Sequence, residues 1–333
     1  MKTGYRRFDL ILVAVMTLST HAASQNPSTP HTSPTLKIIH FNVGNGDATL
    51  VVIERDSKKK TLLIDGGSSQ MAGNVVIPGI KQEISSQGID YAVATHYDPE
   101  HRDGLETVVR SIGMSEGGMV YDRDRAWPSA PSRTADGEKA VDRPLQPGSR
   151  ISLDPDVVIE CVAANGNTKR WRWITKDPPL DENAQSLAFL ITLGKFRYFV
   201  GGDLTGGGRS GWNATPNIES AIASDVGEVS VLRVNHHGSC SSTNQAFLST
   251  LNPLVAVIST GHDQVYQWPC REVLDRLNAL PRLNAVYVTG DVATPKGLTA
   301  DDKKKVKSSQ GTITIVTTGG ADFQVNGTRY SLK

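Results

Sequence analysis

"VATHYDPEHRDGL", Val93 to Leu105, packs His96, Asp98, Glu100 and His101 into six residues directly behind an apolar run. Four candidate metal ligands at i, i+2, i+4 and i+5 are more than a turn or a helix cap requires. Imidazole mixed with carboxylate suits zinc, manganese or iron better than magnesium or calcium. A metal centre needs further ligands from elsewhere in the chain.

Other apolar runs end the same way. Asp47 closes "NVGNGDA", Asp65 closes "LLIDGG", Asp203 closes "YFVGGD", and His236 and His237 follow "VLRVN". Taken singly, Asp47 and Asp65 read as turn formers or caps, and "HHG" as a surface pair. Taken together, carboxylates and imidazoles gathered at one sheet edge repel one another or lose solvation unless a cation compensates them. The loops at such an edge are where sites are built.

The runs themselves read as strands: "LKIIHFNV", "TLVVIE", "KTLLID", "IDYAVATH" and "DVVIECVA". "QSLAFLITL-GK-FRYFV" is a hairpin with Gly194 at the first central position of a type II′ turn. "NVVIPGIKQEISSQG" is a helix stopped at Gly88. Helices are also expected near 217–224, near 244–249 and over "CREVLDRLNAL", with strands "VSVLRV", "LVAVIST", "AVYVT", "GTITIVTT" and "ADFQV" around them. Residues from about 122 to 150 are rich in Pro, Arg, Asp and Ser and read as an insertion or long loop. Each half carries its own sheet, so an α+β sandwich of two sheets with helices outside fits better than one doubly wound sheet.

A chain of 333 residues, 38% hydrophobic and 21% charged, supports a sizeable core. A formal net charge of +1 gives no footprint of a dedicated nucleic-acid binder. Lys2, Arg6 and Arg7 precede the apolar "LILVAVMTL" and the small residues of "THAAS", the pattern of a secretory signal peptide over 1–23 with cleavage near Ala22 or Ala23. Its apolar stretch falls short of the roughly 20 residues a bilayer needs. The expectation is a periplasmic or secreted protein without stable membrane insertion, entered through a flexible leader at 24–35. Cys161, Cys240 and Cys270 have no C-x-x-C spacing, which argues against a zinc knuckle.

"HFNVGNGDATLVV", "LLIDGG", "THYDPEHRDGL", "DENAQSLAFLITLGKFRYFVGGD", "VLRVNHHGSCSSTNQAFL" and "EVLDRL" occur in that order. In them the chain resembles the metallo-β-lactamase superfamily, most closely the hydrolase domain of the competence protein ComEC and its stand-alone relatives. That branch writes the usual H-x-H-x-D-H as H-x-D-x-D-H. The resemblance implies an αββα four-layer sandwich over 36–333 with a site for two divalent ions, zinc or manganese, on its edge. By position, His96 and Asp98 would hold the first ion, and Glu100 and His101 the second. Asp203 would bridge them, and one of His236 and His237 would complete the second site, with a slight preference for His236. A further histidine of the ordinary pattern is missing, and Asn183 to Ser186 stands in its region. The first site is thus expected to be poorer in ligands, with Asn183 and Ser186 beside it. Asp47 and Asp65 would orient ligands rather than bind.

The implied chemistry is hydrolysis by a hydroxide activated between two metals, with Asp98, Asp203 and His237 as the catalytic set. A phosphodiester, small or nucleic acid, is the favoured substrate. The alternatives are a lactonase or β-lactamase, or a non-catalytic binding protein on the same scaffold. Glu100 stands for the usual Asp, Asp103 for the first Gly of a Gly-Gly pair, and Trp268 for a histidine. The family fold would also bring Cys240 and Cys270 to one rim. A bridge between them, closing roughly 30 residues, would stabilise by roughly 3–4 kcal/mol in the chain-entropy picture. Cys161 is expected to be a small buried residue.

Overall fold

Along Thr35–His40, Leu36 and Ile38 face one side and Ile39 the other, the period of two that a strand imposes. The same split separates Val51 and Ile53 from Leu50 and Val52, and Leu62 and Ile64 from Leu63. The first set packs against Ile159, Phe189, Ile191, Tyr198, Val231 and Val257 of a second sheet, forming the core between the two. The second set packs against Ile80 and Ile84 of the helix Ile77–Ile84 and Leu105 and Val108 of the helix Pro99–Ile112. On the far side, Phe199, Leu232, Ala256 and Val286 meet Ile222, Phe247 and Leu274 from three more helices. Helix, sheet, sheet, helix is the expected αββα sandwich, and each buried aliphatic side chain contributes about 1.5–3 kcal/mol to holding its layers.

This computed structural model describes Met1 and residues 32–123, 144–170, 181–210, 213–261, 268–290, 298–308 and 311–332. The expected signal peptide, residues 24–31 of the leader and most of the expected insertion lie outside them. No helix among the described residues is long and apolar enough to cross a membrane.

In the first sheet Lys58–Ile64 and Ile89–Val93 run parallel. In the second, Phe196–Val200, Val231–Arg233, Val255–Ile258 and Ala285–Val288 are parallel neighbours in that order. Parallel strands end together, so each group delivers its following residues to one edge. Asp65 and His96 follow strands of the first group, and Asp203, His236 and Ser259 follow strands of the second.

Some elements differ from expectation. The helix Ile77–Ile84 stops before Gly88, at Ser85, whose φ of 56° ends helical geometry. Met114–Tyr121, Thr328–Ser331 and the small sheet of Gly206–Ser210 with Asn213–Asn217 are additional strands. "PEHRDGL" opens the helix Pro99–Ile112, with proline in the first turn where its missing N–H costs nothing. The hairpin forms between Ala188–Leu193 and Phe196–Val200, with Gly194 at φ 54°. Cys240 and Cys270 form a disulfide. Cys161 is free and buried, and burial pushes its thiol up to about 12.

Candidate metal centre

Backbone contacts assemble the site first. Gly66 and Gly104 approach so closely that a Cβ on Gly66 would lie 2.1 Å from the Leu105 nitrogen. The Gly66 N–H donates to the His101 carbonyl at 2.8 Å, which seats Asp65 beneath the first turn of Pro99–Ile112. Gly202, at φ 52°, bends the chain after Phe196–Val200 so that Asp203 turns inward, where its N–H donates to Ser186 Oγ at 3.1 Å. His236 and His237 both hold left-handed backbone, at φ 49° and 53°. Such geometry costs side-chain-bearing residues about 1–3 kcal/mol each and is a mark of functional sites.

Asp203 Oδ2 is the hub. His101 Nε2 lies 3.3 Å from it, His237 Nε2 3.4 Å, His236 Nε2 3.8 Å and His96 Nε2 3.9 Å. His101 and His237 also bring their Nε2 atoms within 3.2 Å of each other. The opposite ring nitrogens are turned outward to partners. His101 Nδ1 donates to Asp65 Oδ2 at 2.9 Å, and His237 Nδ1 to the Ser259 carbonyl at 2.8 Å. Thr95 Oγ1 gives its proton to Asp65 Oδ2 at 2.7 Å and so accepts from His96 Nδ1 at 3.0 Å. His236 Nδ1 lies 3.5 Å from Ser241 Oγ. Partners on the Nδ1 side turn the Nε2 atoms toward one space, the orientation a metal-binding histidine needs.

Electrostatics agree. Burial alone would raise the Asp203 carboxyl, but His101, His237 and His236 hold it well below the usual carboxylate range. Burial opposes protonation of His101, yet Asp203 and Asp65 raise it well above an ordinary histidine. Burial lowers His236 to about 4, keeping its ring neutral at physiological pH. His96 Nε2 and Asp203 Oδ1 are buried without a hydrogen-bond partner. Inward-facing imidazole nitrogens, an ionised carboxylate and orphaned polar atoms fit a divalent cation at this spot. His96, His101 and Asp203 offer ligand atoms within 4.8 Å of one another.

The remaining expected residues fall around this hub. Asp98, its side chain 35% exposed, places Oδ2 3.5 Å from His96 Nε2, and that contact lowers its carboxyl. Both His236 and His237 reach Asp203, with His237 closer and fully buried. Asp65 binds three donors, from the Thr95 N–H and hydroxyl and from His101, and orients two histidines at once. Ser186 holds the Asp203 peptide, and Asn183 Oδ1 is buried without a partner. Glu100 is half-buried and outside the groups whose ligand atoms lie within 4.8 Å. Trp268 walls the site, its ring centroid 5.1 Å from each of the His236 and His237 rings.

Three residues that the sequence reading passed over belong here. Arg233 is fully buried, with Nη2 2.5 Å from Asp47 Oδ2 and Nη1 3.8 Å from Asp203 Oδ1. It also donates to the Gly202 and Val234 carbonyls at 2.7 and 2.8 Å. The Asp47 carboxyl is raised by burial, with Arg233 opposing. Glu182 accepts the Tyr97 N–H at 2.8 Å and is gripped by Arg123, so it braces the loop between His96 and Asp98. Asp181 lies close enough to His96 and Asp98 to feel both charges. A signal existed for Arg233: a charge inside the apolar "VLRV" demands a buried partner.

Residues 42–262 match the family model described as Metallo-beta-lactamase superfamily. Over 260 residues the chain is 26% identical to Recombination protein 2 of Haemophilus influenzae, covering 74% of this chain and 27% of that protein. It is 23% identical over 250 residues to Competence protein ComA of Neisseria gonorrhoeae, covering 72% of this chain and 29% of that one. A 99-residue stretch is 34% identical to ComE operon protein 3 of Bacillus subtilis, 30% of this chain and 12% of the relative. This chain therefore spans less than a third of each relative's length. Because every imidazole that converges on Asp203 lies inside the matched span, fold, site and sequence point the same way, and the chain belongs to the metallo-β-lactamase superfamily in its ComEC-like branch.

Proposed function

We propose that this protein is an exported hydrolase that uses two divalent metal ions, zinc or manganese, to cleave a phosphodiester. The observation that carries the reading is the convergence of four Nε2 atoms on Asp203 Oδ2, each ring turned inward by a partner on its Nδ1. Bound there, the ions would supply Lewis acidity and a water acidified toward neutral pH.

The chain's own groups do the rest. Asp203 spans the space between the His96 and His237 sides and keeps it anionic. Asp98 stays ionised beside His96, which suits it to ligation at the open side of the site. Asp65 holds His101 and Thr95 in register, and Arg233 offsets the charge of Asp47 so that the buried carboxylates do not force one another apart. Trp268 excludes water from the side of His236 and His237.

Two matched relatives carry names tied to recombination and competence, which favours a phosphodiester over a lactone or β-lactam. The near-neutral charge favours a substrate gripped at few phosphates. The disulfide and the signal-like N-terminus support export to a periplasmic or extracellular space.

A substrate panel tests this: a chromogenic phosphodiester, single-stranded DNA, a lactone and nitrocefin, each with zinc or manganese and again with chelator. Metal-dependent cleavage of a phosphodiester is expected. Cleavage of the lactone or nitrocefin alone would replace the proposed substrate.

The position of Glu100, outside the close ligand group, favours a second reading in which the scaffold binds without catalysing. Under the hydrolase reading its longer side chain still serves the second ion. Glu100→Asp then keeps that ion and Glu100→Ala loses it, as measured by metal content. Equal content in the two variants marks Glu100 as a bystander.

A further inference from the structure

Behind the histidine loop lies a carboxylate that takes no part in the chemistry above. Glu219 sits in the first turn of the helix Ile218–Val226, wholly buried. Its Oε1 accepts from Asn235 Nδ2 at 2.7 Å and from the Thr243 N–H at 2.6 Å. Its Oε2 accepts from the Asn244 N–H at 2.8 Å. None of these donors is a candidate ligand. Asn235 directly precedes His236 and His237, whereas Thr243 and Asn244 close the same loop before the helix Gln245–Leu251. Gly206 leaves no room for anything else, since a Cβ there would lie 2.2 Å from Glu219 Oε2.

We propose that Glu219 is a positioning residue for the metal centre, one buried carboxylate fixing both ends of the loop that presents His236 and His237. The inference rests on the metal-centre reading.

A buried carboxylate is costly unless its oxygens are satisfied, and here three donors converge on it. Burial pushes the carboxyl up to about 7 against the pull of the Asn244, Asn235 and Thr243 donors. Such a residue is a poor choice for stability alone, because an apolar side chain of similar volume avoids the desolvation cost. What it supplies is a fixed span between the two loop ends. That span matters because His236 and His237 hold left-handed backbone that the surroundings must enforce. Arg276 braces the far end from outside, donating to the Ser242 and Thr243 carbonyls at 3.2 and 2.6 Å. The Cys240–Cys270 bridge ties down the middle of the loop. Ser242 Oγ donates to the Asn235 carbonyl at 2.8 Å, but among the described residues only Glu219 joins the Asn235 side chain to the Thr243 and Asn244 amides.

Glu219→Gln keeps the volume but turns an N–H₂ toward the Asn244 N–H, donor against donor. Asn235→Ala keeps the carboxylate and removes only the histidine-side link. Cobalt(II) is the probe, because its visible bands report ligand geometry and a purely structural role would not move them. The expected result is a cobalt spectrum altered in both variants. Affinity should fall at least tenfold, within the range known for partners that orient ligands, while circular dichroism stays that of the parent. If Glu219→Gln does not fold, Asn235→Ala alone decides. Parental spectrum and affinity in the folded variants would overturn the proposal. A parent protein that binds no cobalt would overturn the metal-centre reading instead.

Discussion

Asp203→Ala is expected to lose most metal and nearly all hydrolysis while the sandwich stays folded. Four imidazole nitrogens lie within 3.9 Å of Oδ2 of the carboxylate this substitution removes. Without it, the inward-facing Nε2 atoms of His101 and His237, 3.2 Å apart, have no shared anion to hold a cation between them. The loss should exceed the roughly 10–100-fold cost of removing a partner that merely orients a ligand. The three apolar clusters that join the layers do not include Asp203, so the fold should survive. Metal analysis and circular dichroism on the same sample check both halves. Full metal content with retained activity would reject Asp203 as the bridge.

Asp65→Asn is the second large effect, and it acts one bond further out. Asp65 holds left-handed backbone, φ 57°, which asparagine tolerates, so the turn itself should persist. The new amide can keep one oxygen as acceptor. Its N–H₂ then faces the Thr95 and His101 donors, and His101 loses the anchor that keeps its proton on Nδ1. Metal affinity should fall by roughly 10–100-fold. The unpaired buried donors should cost about 1–3 kcal/mol of stability. Chelator competition and denaturant melts measure the two. Unchanged affinity would mean that Asp65 shapes the turn and not the ligand.

These effects bear on what the sequence could reveal. Alternation made the layers readable: Leu36 and Ile38 on one face and Ile39 on the other already place a strand between a sheet and a helix. Asp65, His96 and Asp203 were readable as a group because each follows a strand in a parallel set, and parallel strands end together. Arg233 was readable only as a buried charge in need of a partner, since Asp47 lies in a distant loop and only the fold shows that they meet. Asp181 reads as a cap, and it does accept the Ala184 N–H at 2.8 Å, which hides its nearness to His96 and Asp98. Thr328–Ser331 escaped notice because it is an edge strand with Tyr330 as its only buried residue inward of the ends. The helix Pro99–Ile112 was obscured by its candidate ligands, whose polar run masks the apolar spacing of Leu105, Val108 and Val109.

The most direct test of the metal centre is the divalent-metal content of the full chain, purified without chelator and then equilibrated with zinc or manganese. Two equivalents per chain, with hydrolysis lost on chelation and restored on re-addition, is the predicted result. A folded chain that retains no divalent metal after equilibration would contradict the account.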